Sequence, residues 1–568
     1  MRARRDLVAA SALFLATAAF VLWQNSQVAI LWDLGYLLDT SWRIALGQMP
    51  YRDFPLVHAP LTFLIQTAII QAGGRHYLLL ESYTALVGGL GTLLAWRILL
   101  RILARISSAA WTLSLLLALP LVFLGIYGIY PHPIYDCDCG LSILIALFLL
   151  QRLESAKLVA FGRWAFPLLT GAAVVLPAFF KQNMGVPFAL AVGCGLVLLL
   201  AVKILSRRDA SVPEAGTLAT VLGGMALALG VALALIQHTA GLGNYLRWTV
   251  RFAAERRLPG FADMLGVYRQ PSFLWTLPAV GVGLLLLLRL GPSFWARVAG
   301  FCLLAAPFVW SLVFLFLDDD LDERADNLLA LWPLVLVVSA MMALFALRKG
   351  LTLACLFPFF VLAAIHGSFL SQQLWGSTYA IWPLLMLLIA QSIAALPAHS
   401  SWVRPALAGV TSATLAVCGG LYAAGHERLN YAHVDDGAMS RSTLPALHAI
   451  ATPGPYLANF DELARFAAAE IPTGDALLLL PGEDPFYYAT GRTPRFPVSI
   501  FDRTTDPYSP SELLAEARRR NVRWVIVKTV LQSNEDPLPQ PDETLTLVVR
   551  EFPLARHLAG YDIYRRPQ

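Results

Sequence analysis

A loop rich in acids, bases and aromatic residues follows the first long apolar run of the chain. Asp33 opens this loop in the segment 32–36, which reads WDLGY. Ionisable groups at membrane depth are costly to hold there, so they mark functional sites. A carboxylate with limited hydration can take a proton from a hydroxyl or an amine. The sequence therefore predicts that Asp33 is a general base.

Other residues of the same loop are predicted to work with Asp33. Asp39 is the second candidate catalytic acid, but it begins a predicted helical stretch, and an N-cap or first-turn acid is the alternative role. Asp53 either binds substrate or only pairs with a neighbouring arginine. The residues of this loop that are predicted to bind substrate are Tyr36, Arg43, Arg52, Asp53 and His58.

A second cluster lies at the outer end of the third predicted span. It contains His132, Asp136, Cys137, Asp138 and Cys139. Two acids in an Asp-x-Asp pattern can hold a divalent cation, Mg or Mn, that neutralises a phosphate. Structural or hydrogen-bonding roles for the two acids are the alternative. A zinc site through the two cysteines and the histidine falls short of the usual ligand set.

Four basic residues are candidate ligands for a lipid phosphate. Lys181, in a tight turn between two predicted spans, either snorkels to the surface or binds a phosphate head group. Arg247 and Arg251 lie one helical turn apart in a segment with the pattern of an interfacial helix, which either anchors to the membrane surface or faces a phosphate. Arg324 stands in an acidic loop, for which simple solvation is the alternative.

The elements that must position these residues are apolar helices. The chain has 568 residues, of which 57% are hydrophobic and 14% charged, and its mean hydropathy is +0.62. A soluble domain carries about 25% charged residues. The long apolar runs end near residue 423, so we predict a membrane module over 1–423 and a soluble tail over 424–568.

Apolar runs near the length that spans a bilayer predict about 13 transmembrane helices. They lie at 7–23, 77–96, 111–129, 139–151, 164–180, 184–202, 216–237, 271–288, 298–317, 327–347, 350–369, 379–396 and 405–423. A shorter run at 60–72 is predicted to be a re-entrant or interfacial helix within the first outer loop, 24–76.

The distribution of charge predicts the topology. With the N-terminus inside, basic clusters fall in the inner loops and the acidic loops fall outside, as the positive-inside rule requires. An odd number of spans then places the tail outside. The basic N-terminus before the 7–23 run indicates either a cleaved signal peptide or an uncleaved anchor, and we favour the anchor because the loop beyond it needs tethering.

The tail has the pattern of a small α/β domain. The segments 475–481 and 523–528 are predicted buried strands, and 559–566 is a candidate final strand. Ser509-Pro510 has the pattern of a cap and first-turn proline for a helix over 511–520. The net charge of +5 does not predict nucleic-acid binding, because the basic residues lie largely in short loops between apolar runs.

The topology and loop motifs together resemble the GT-C superfamily of membrane glycosyltransferases. This superfamily includes protein O-mannosyltransferases, lipid A aminoarabinose transferases and the catalytic subunit of oligosaccharyltransferase. Asp33 occupies the place of the family's catalytic acid after the first span. The segment 47–54 (GQMPYRDF) and Pro60-Leu61 match strings found in many bacterial members, and Asp136 and Asp138 match an acidic pair in the second outer loop. The family's common Asp-Glu pair is Asp33-Leu34 here.

The resemblance implies a bacterial inner-membrane enzyme with a cytoplasmic N-terminus and an extracytoplasmic tail. It would transfer a sugar from a polyprenyl-phosphate donor to a lipid, glycan or protein acceptor, with Asp33 as base. A transporter or flippase is the main alternative, although transporters carry polar sites near the midplane, whereas here the polar groups lie in outer loops. A lipid-linked glycan polymerase or ligase is a closer alternative, for which a large basic outer loop late in the chain is expected.

Overall fold

The computed structural model describes most of the chain. The described residues are 2–28, 31–104, 108–153, 162–205, 213–256, 263–290, 293–317, 331–348, 350–370, 380–397, 401–424, 438–502, 505–531 and 542–567.

The first three-quarters of the chain, up to Ala424, are helical in the described residues. The helices up to the middle of the chain are α1 (Arg2–Asn25), α2 (Trp32–Ala45), α3 (Leu61–Gly73), α4 (Tyr77–Ala104), α5 (Ala110–Ala118), α6 (Leu121–Leu124), α7 (Tyr135–Leu153), α8 (Gly162–Val175), α9 (Gln182–Leu205) and α10 (Ala215–Thr239). Those that follow are α11 (Leu242–Leu246), α12 (Ala253–Glu255), α13 (Phe273–Arg289), α14 (Phe294–Leu317), α15 (Leu331–Leu347), α16 (Leu353–Ser368), α17 (Trp382–Ala395) and α18 (Val403–Ala424). A 3₁₀ turn covers Leu176–Phe179, a π-helical turn covers Arg247–Phe252, and a second 3₁₀ turn covers Asp263–Tyr268.

These helices make the chain a polytopic α-helical membrane protein, as predicted. Among the described residues, six helices are long and apolar enough to cross a bilayer, and six further apolar helices are shorter. Each predicted span contains a described helix. The predicted span 111–129 differs, because it divides into α5 and α6 around Pro120. Proline lacks the backbone N–H that a continuous helix needs at this point.

The short run predicted to lie within the first outer loop is the 13-residue helix α3. It packs against α2, α4 and α7. The Gln66 side chain accepts a hydrogen bond from the Ser41 hydroxyl at 2.8 Å and donates one to the carbonyl oxygen of Pro133 at 3.4 Å. The helix thereby ties α2 to the segment that precedes α7.

The tail is a small α/β domain, as predicted. Its strands are β1 (Met439–Arg441), β2 (Ala451–Pro453), β3 (Ala476–Leu480), β4 (Val522–Lys528), β5 (Leu554–Leu558) and β6 (Tyr561–Arg565). Its helices are α19 (Tyr456–Glu470), α20 (Phe486–Thr490), α21 (Pro510–Arg519) and α22 (Asp542–Glu551). The main sheet has the order β3-β4-β6-β5, with β3 and β4 parallel and the other neighbours antiparallel. The segments predicted as strands correspond to β3, β4 and β6.

The sequence signals in the tail have clear physical causes. Ser509 and Glu512 form a capping box, in which each side chain accepts a hydrogen bond from the other residue's backbone N–H, so α21 begins one residue before the predicted start. All five residues of β3 are buried, which explains its continuous apolar run. The strand β5 was not predicted. It is largely exposed, so its side chains show no strong apolar pattern.

The ends of several helices meet around the turn that precedes α9. The Gln182 side chain donates hydrogen bonds to the carbonyl oxygens of Val57 at 3.1 Å and Thr249 at 3.2 Å, and so joins the first outer loop to the Arg247–Phe252 turn. Gly367 lets α16 approach this turn closely, because a Cβ atom at Gly367 would overlap the carbonyl oxygen of Asn183. Small residues allow such close packing between membrane helices.

We expect the substitution Gly367→Ala to destabilise the protein by about 1–3 kcal/mol, since the added methyl group overpacks the α9–α16 contact. The matched control is Gly230→Ala in α10, where a Cβ atom meets nothing within 4 Å. Because alanine favours helix over glycine by about 1 kcal/mol, the control should raise stability slightly. Thermal unfolding of the purified proteins in detergent measures both effects. Equal shifts in the two variants would contradict the packing assignment.

Candidate functional site

Asp33 lies in the first turn of α2, partly exposed at one end of the helical module. A carboxylate is favoured at a helix N-terminus by the helix dipole. The hydroxyl group of Tyr130 donates a hydrogen bond to one carboxylate oxygen of Asp33. Tyr130 comes from the loop between α6 and α7, and its ring is fully buried. The hydrogen bond from Tyr130 therefore orients the Asp33 carboxylate, and Asp33 remains partly accessible to solvent.

A series of stacked side chains connects α2 to the turn before α9. The Tyr36 hydroxyl and Nδ1 of His58 form a hydrogen bond of 3.2 Å. The His58 ring stacks on the Tyr135 ring with 4.1 Å between centroids, and Nζ of Lys181 lies 5.4 Å from the centroid of the Tyr135 ring. Burial and the nearby Lys181 ammonium lower the pKa of His58 to about 3, so its imidazole is neutral at physiological pH.

Lys181 and Asp136 form a buried ion pair. Asp136 lies in the first turn of α7, and both side chains are more than nine-tenths buried. The lysine was predicted either to snorkel or to bind phosphate; the structure places its ammonium inside the site, toward α7. An ammonium has three N–H donors. A second acceptor can therefore bind Lys181 without displacing Asp136.

Asp138 has a different environment from Asp136. Its carboxylate accepts hydrogen bonds of 2.7 Å from the hydroxyl groups of Thr62, Tyr83 and Tyr127. Among the residues that the structure describes, no lysine or arginine forms an ion pair with this carboxylate. The three donors come from α3, α4 and the loop before α7, so Asp138 joins three parts of the module.

The arrangement of the two acids does not fit the predicted divalent cation. The Asp136 carboxylate is bound by an ammonium, and the Asp138 carboxylate is occupied by three hydroxyl donors. Hard divalent cations need several open oxygen ligands. The described part of the chain contains no group of three or more His, Cys, Asp or Glu residues that are placed to hold a metal. We therefore derive no step through Mg or Mn.

Asp39, the second candidate catalytic acid, is buried and faces the tail. Its two carboxylate oxygens accept hydrogen bonds from the backbone N–H groups of Tyr488 at 2.7 Å and Tyr487 at 3.3 Å. These N–H groups belong to the first turn of α20, so Asp39 caps a helix that is far away in the sequence. Its contacts support a structural role.

Arg43, one turn after Asp39 on α2, also holds the tail. Its guanidinium group donates hydrogen bonds to the carbonyl oxygens of Phe496 and Pro497 and stacks over Phe54 with 4.9 Å to the ring centroid. Burial lowers the pKa of Arg43 to about 10, which leaves it charged at neutral pH. The residue was predicted to bind substrate, but its two terminal nitrogens are occupied by backbone carbonyls.

The remaining predicted residues lie at the surface. Arg52 and Asp53 form an exposed ion pair of 2.8 Å, which is the alternative that the sequence left open for Asp53. Arg247 is exposed and lies over the Trp248 ring, 4.9 Å from its centroid. Arg251 pairs with Glu255 at 3.0 Å on the same exposed face.

Arg324 and its acidic loop lie outside the described residues.

Two contributors to the site have no clear signal in the sequence. Tyr130 lies one residue beyond the predicted end of an apolar run, residue 129, so the hydropathy pattern did not identify it as a site residue. The tail segment 483–497, which contacts α2, carries no motif of its own. A run of tyrosines just past a predicted span end is the signal that would have identified Tyr130 as a boundary residue.

Several solved structures have a backbone path similar to that of this chain. ArnT from Cupriavidus metallidurans bound to undecaprenyl phosphate is 10% identical, with a TM-score of 0.44, over 98% of this chain and 99% of that chain. The oligosaccharyltransferase AglB from Archaeoglobus fulgidus, in complex with an inhibitory peptide and a dolichol-phosphate, is 11% identical, with a TM-score of 0.49, over 100% of this chain and 75% of that chain. Both are GT-C superfamily membrane glycosyltransferases, the class that the sequence resembles.

No protein-family model matches the chain, and no curated protein matches its sequence. At identities near 10% and TM-scores below 0.5, the structural likeness describes the path of the chain and carries no conclusion about activity. The function has to be argued from this chain's own residues.

The carboxyl group of Asp39 makes the docking of the tail dependent on pH. Burial raises its pKa to about 7, from an ordinary value of 3.8. The docked state therefore binds the proton more tightly than the undocked state, and its stability falls as the pH rises from about 4 to 7. We expect the melting temperature of the protein to decrease between pH 5 and pH 7.

The matched variant for this effect is Asp39→Asn, which keeps an acceptor oxygen but has no proton to lose. The difference in melting temperature between the original protein and this variant should shrink or change sign as the pH rises through this window. If the melting temperatures of the two proteins changed in parallel from pH 5 to pH 8, this result would contradict the assignment, because all other titrating groups are common to both proteins.

Proposed function

We propose that the chain is a glycosyltransferase that moves a sugar from a polyprenyl-phosphate donor to an acceptor at the outer face of the cytoplasmic membrane. The observation that carries this proposal is the placement of Asp33. A partly exposed carboxylate, oriented by Tyr130, lies at the end of an apolar helical module, and side-chain contacts through His58 and Tyr135 connect its helix to the buried Lys181. This arrangement suits a substrate that has a lipid part and a charged head.

The chemical step needs a base on the acceptor side. Asp33 takes the proton from the acceptor hydroxyl or amine as its oxygen or nitrogen attacks the anomeric carbon of the donor sugar. The bond between that carbon and the phosphate oxygen breaks, and the polyprenyl phosphate leaves with the bonding electron pair. The hydrogen bond from the Tyr130 hydroxyl fixes the orientation of the Asp33 carboxylate during this step.

The charge that develops on the leaving phosphate needs a cation nearby. Lys181 supplies it in this proposal, since Asp136 fixes its position and leaves further N–H donors for a phosphate oxygen. The neutral His58 and the Tyr135 ring form the wall between Lys181 and α2. In this proposal the exposed Arg247 and Arg251 bind lipid head groups at the membrane surface. The acceptor class is a lipid, a glycan or a protein.

Asp33→Asn should reduce sugar transfer by about 10²–10⁴-fold, because the amide cannot accept the acceptor proton. The measurement is transfer of a radiolabelled sugar from a polyprenyl-phosphate donor by the purified protein. Asp562→Asn is the matched control, since its carboxylate pairs with an exposed histidine in the tail. Full activity of the Asp33→Asn protein, at normal membrane insertion, would refute the proposed function.

The role of Lys181 can be separated from its structural role. Lys181→Met leaves Asp136 as an unpaired buried carboxylate and should cost about 3–5 kcal/mol of stability. The double variant Lys181→Met with Asp136→Asn removes both charges and should recover most of that stability. We expect the double variant to remain impaired in transfer, since the leaving phosphate still lacks its cation. A stable double variant with normal turnover would assign the pair to folding alone.

A further inference from the structure

The tail contains a buried cluster of charges that the proposed chemistry does not use. Nζ of Lys528 lies 2.7 Å from Oε2 of Glu483 and 2.8 Å from Oδ1 of Asp484. The Tyr561 hydroxyl donates a hydrogen bond of 2.7 Å to Oδ2 of Asp484. All four side chains are more than nine-tenths buried. Burying such charges costs desolvation free energy, and this cost needs a reason.

The cluster stands at one particular edge of the sheet. β3 and β4 are parallel neighbours, so their carboxyl ends lie at the same edge. Glu483 and Asp484 follow the end of β3, and Lys528 is the last residue of β4. The carboxyl edge of parallel strands is where α/β domains place their functional groups. Here that edge faces α2.

The backbone beside the cluster is in contact with α2. A Cβ atom added to Gly35 would lie 2.5 Å from the carbonyl oxygen of Glu483 and 3.1 Å from the carbonyl carbon of Asp484. Real Cβ atoms do not approach that closely, so only glycine fits at this position. Gly35 is two residues beyond Asp33 in the same helical turn. The position of residues 483–484 therefore limits where the first turn of α2 can lie.

The same tail loop is attached to α2 one turn later. Asp39 binds the backbone N–H groups of Tyr487 and Tyr488, just after the cluster. The segment 483–488 thus runs along α2 from Gly35 to Asp39. Lys528, by bridging Glu483 and Asp484, sets the shape of the end of the segment nearest to Asp33.

We propose that Lys528, together with Glu483 and Asp484, is a positioning element for Asp33. The tail is then a structural half of the reaction site, since it sets the height and rotation of the helical turn that carries the base. This inference rests on the proposed role of Asp33 and adds a residue of the tail to it. Lys528 acts through the backbone of residues 483–484 and through Gly35.

The first test compares two substitutions of the lysine. Lys528→Met leaves two buried carboxylates without their cation, and the 483–484 segment should shift. A misplacement of about 1 Å can cost about 100-fold in rate, so kcat should fall by that order while the KM for the donor stays unchanged. Lys528→Arg keeps the charge and can bind both carboxylates, so it should restore most of the turnover. Arg518→Met, which breaks an exposed ion pair with Glu551, is the control.

A second variant keeps the test decisive if Lys528→Met fails to fold. Gly35→Ala leaves the charged cluster intact and pushes α2 away from Glu483. We expect the same loss of kcat at an unchanged donor KM, with faster hydrogen exchange of the amides of α2. The matched control is Gly223→Ala in α10, where an added Cβ atom meets nothing within 4 Å. Normal kcat in both Gly35→Ala and a folded Lys528→Met protein would overturn the inference.

A failure of the positioning role can be distinguished from a failure of the proposed function. If Asp33→Asn retains full transfer, Asp33 is not the base and the proposed function fails, whatever the tail variants do. If Asp33→Asn abolishes transfer and the tail variants do not change kcat, the proposed function stands and the positioning role is refuted. Faster exchange in α2 with a falling kcat supports the inference.

Discussion

A short helix held from two sides is the constraint on which the site depends. α2 is too short to cross a bilayer and too buried to stand alone, with most of its residues packed between the membrane helices and the tail. On one side α3 packs against it, and on the other the tail lies along it. The hydrogen bonds described above for two of its charged residues, Asp39 and Arg43, all join them to backbone groups of the tail. The orientation of Asp33 follows from both surfaces at once.

The two acids in the first turn of α7 show how similar residues acquire different properties. Asp136 and Asp138 are neighbours on the same turn of α7, yet an ammonium compensates one and three hydroxyl groups compensate the other. An ion pair leaves the lysine available to a further anion. A set of neutral donors stabilises a carboxylate without offering any cation to a ligand. In the proposed function the first acid therefore supports the chemistry of the site, whereas the second belongs to its framework.

The sequence predicted those elements of the fold that depend on local patterns of hydropathy and capping residues. Hydropathy located the apolar helices, and the capping box and buried apolar runs located α21, β3 and β4. The position of Asp33 after the first span followed from the same hydropathy. The role of Asp39 could not be predicted in this way, because its partner Tyr488 lies 449 residues away in the chain. No periodicity or propensity encodes which distant backbone groups a carboxylate will meet.

The same limit applies to the metal prediction and to Tyr130. An Asp-x-Asp pattern shows that two carboxylates are close together but not what already binds them. The groups that bind the two acids are Lys181 and three hydroxyl groups. They come from α3, α4, the loop before α7 and the turn before α9. Only the packing of the helices brings these four elements together. Tyr130 reaches Asp33 for the same reason, since its loop folds back over the start of α2.

The pairing of β6 with β4 has a consequence for how the protein becomes active during its synthesis. Tyr561 at the start of β6 binds Asp484, so the loop against α2 is completed only when this late strand has joined the sheet. The membrane helices can insert as the ribosome makes them, but the loop against α2 is then still incomplete. The surroundings of Asp33 in a newly made chain are therefore finished only after the tail has folded against α2.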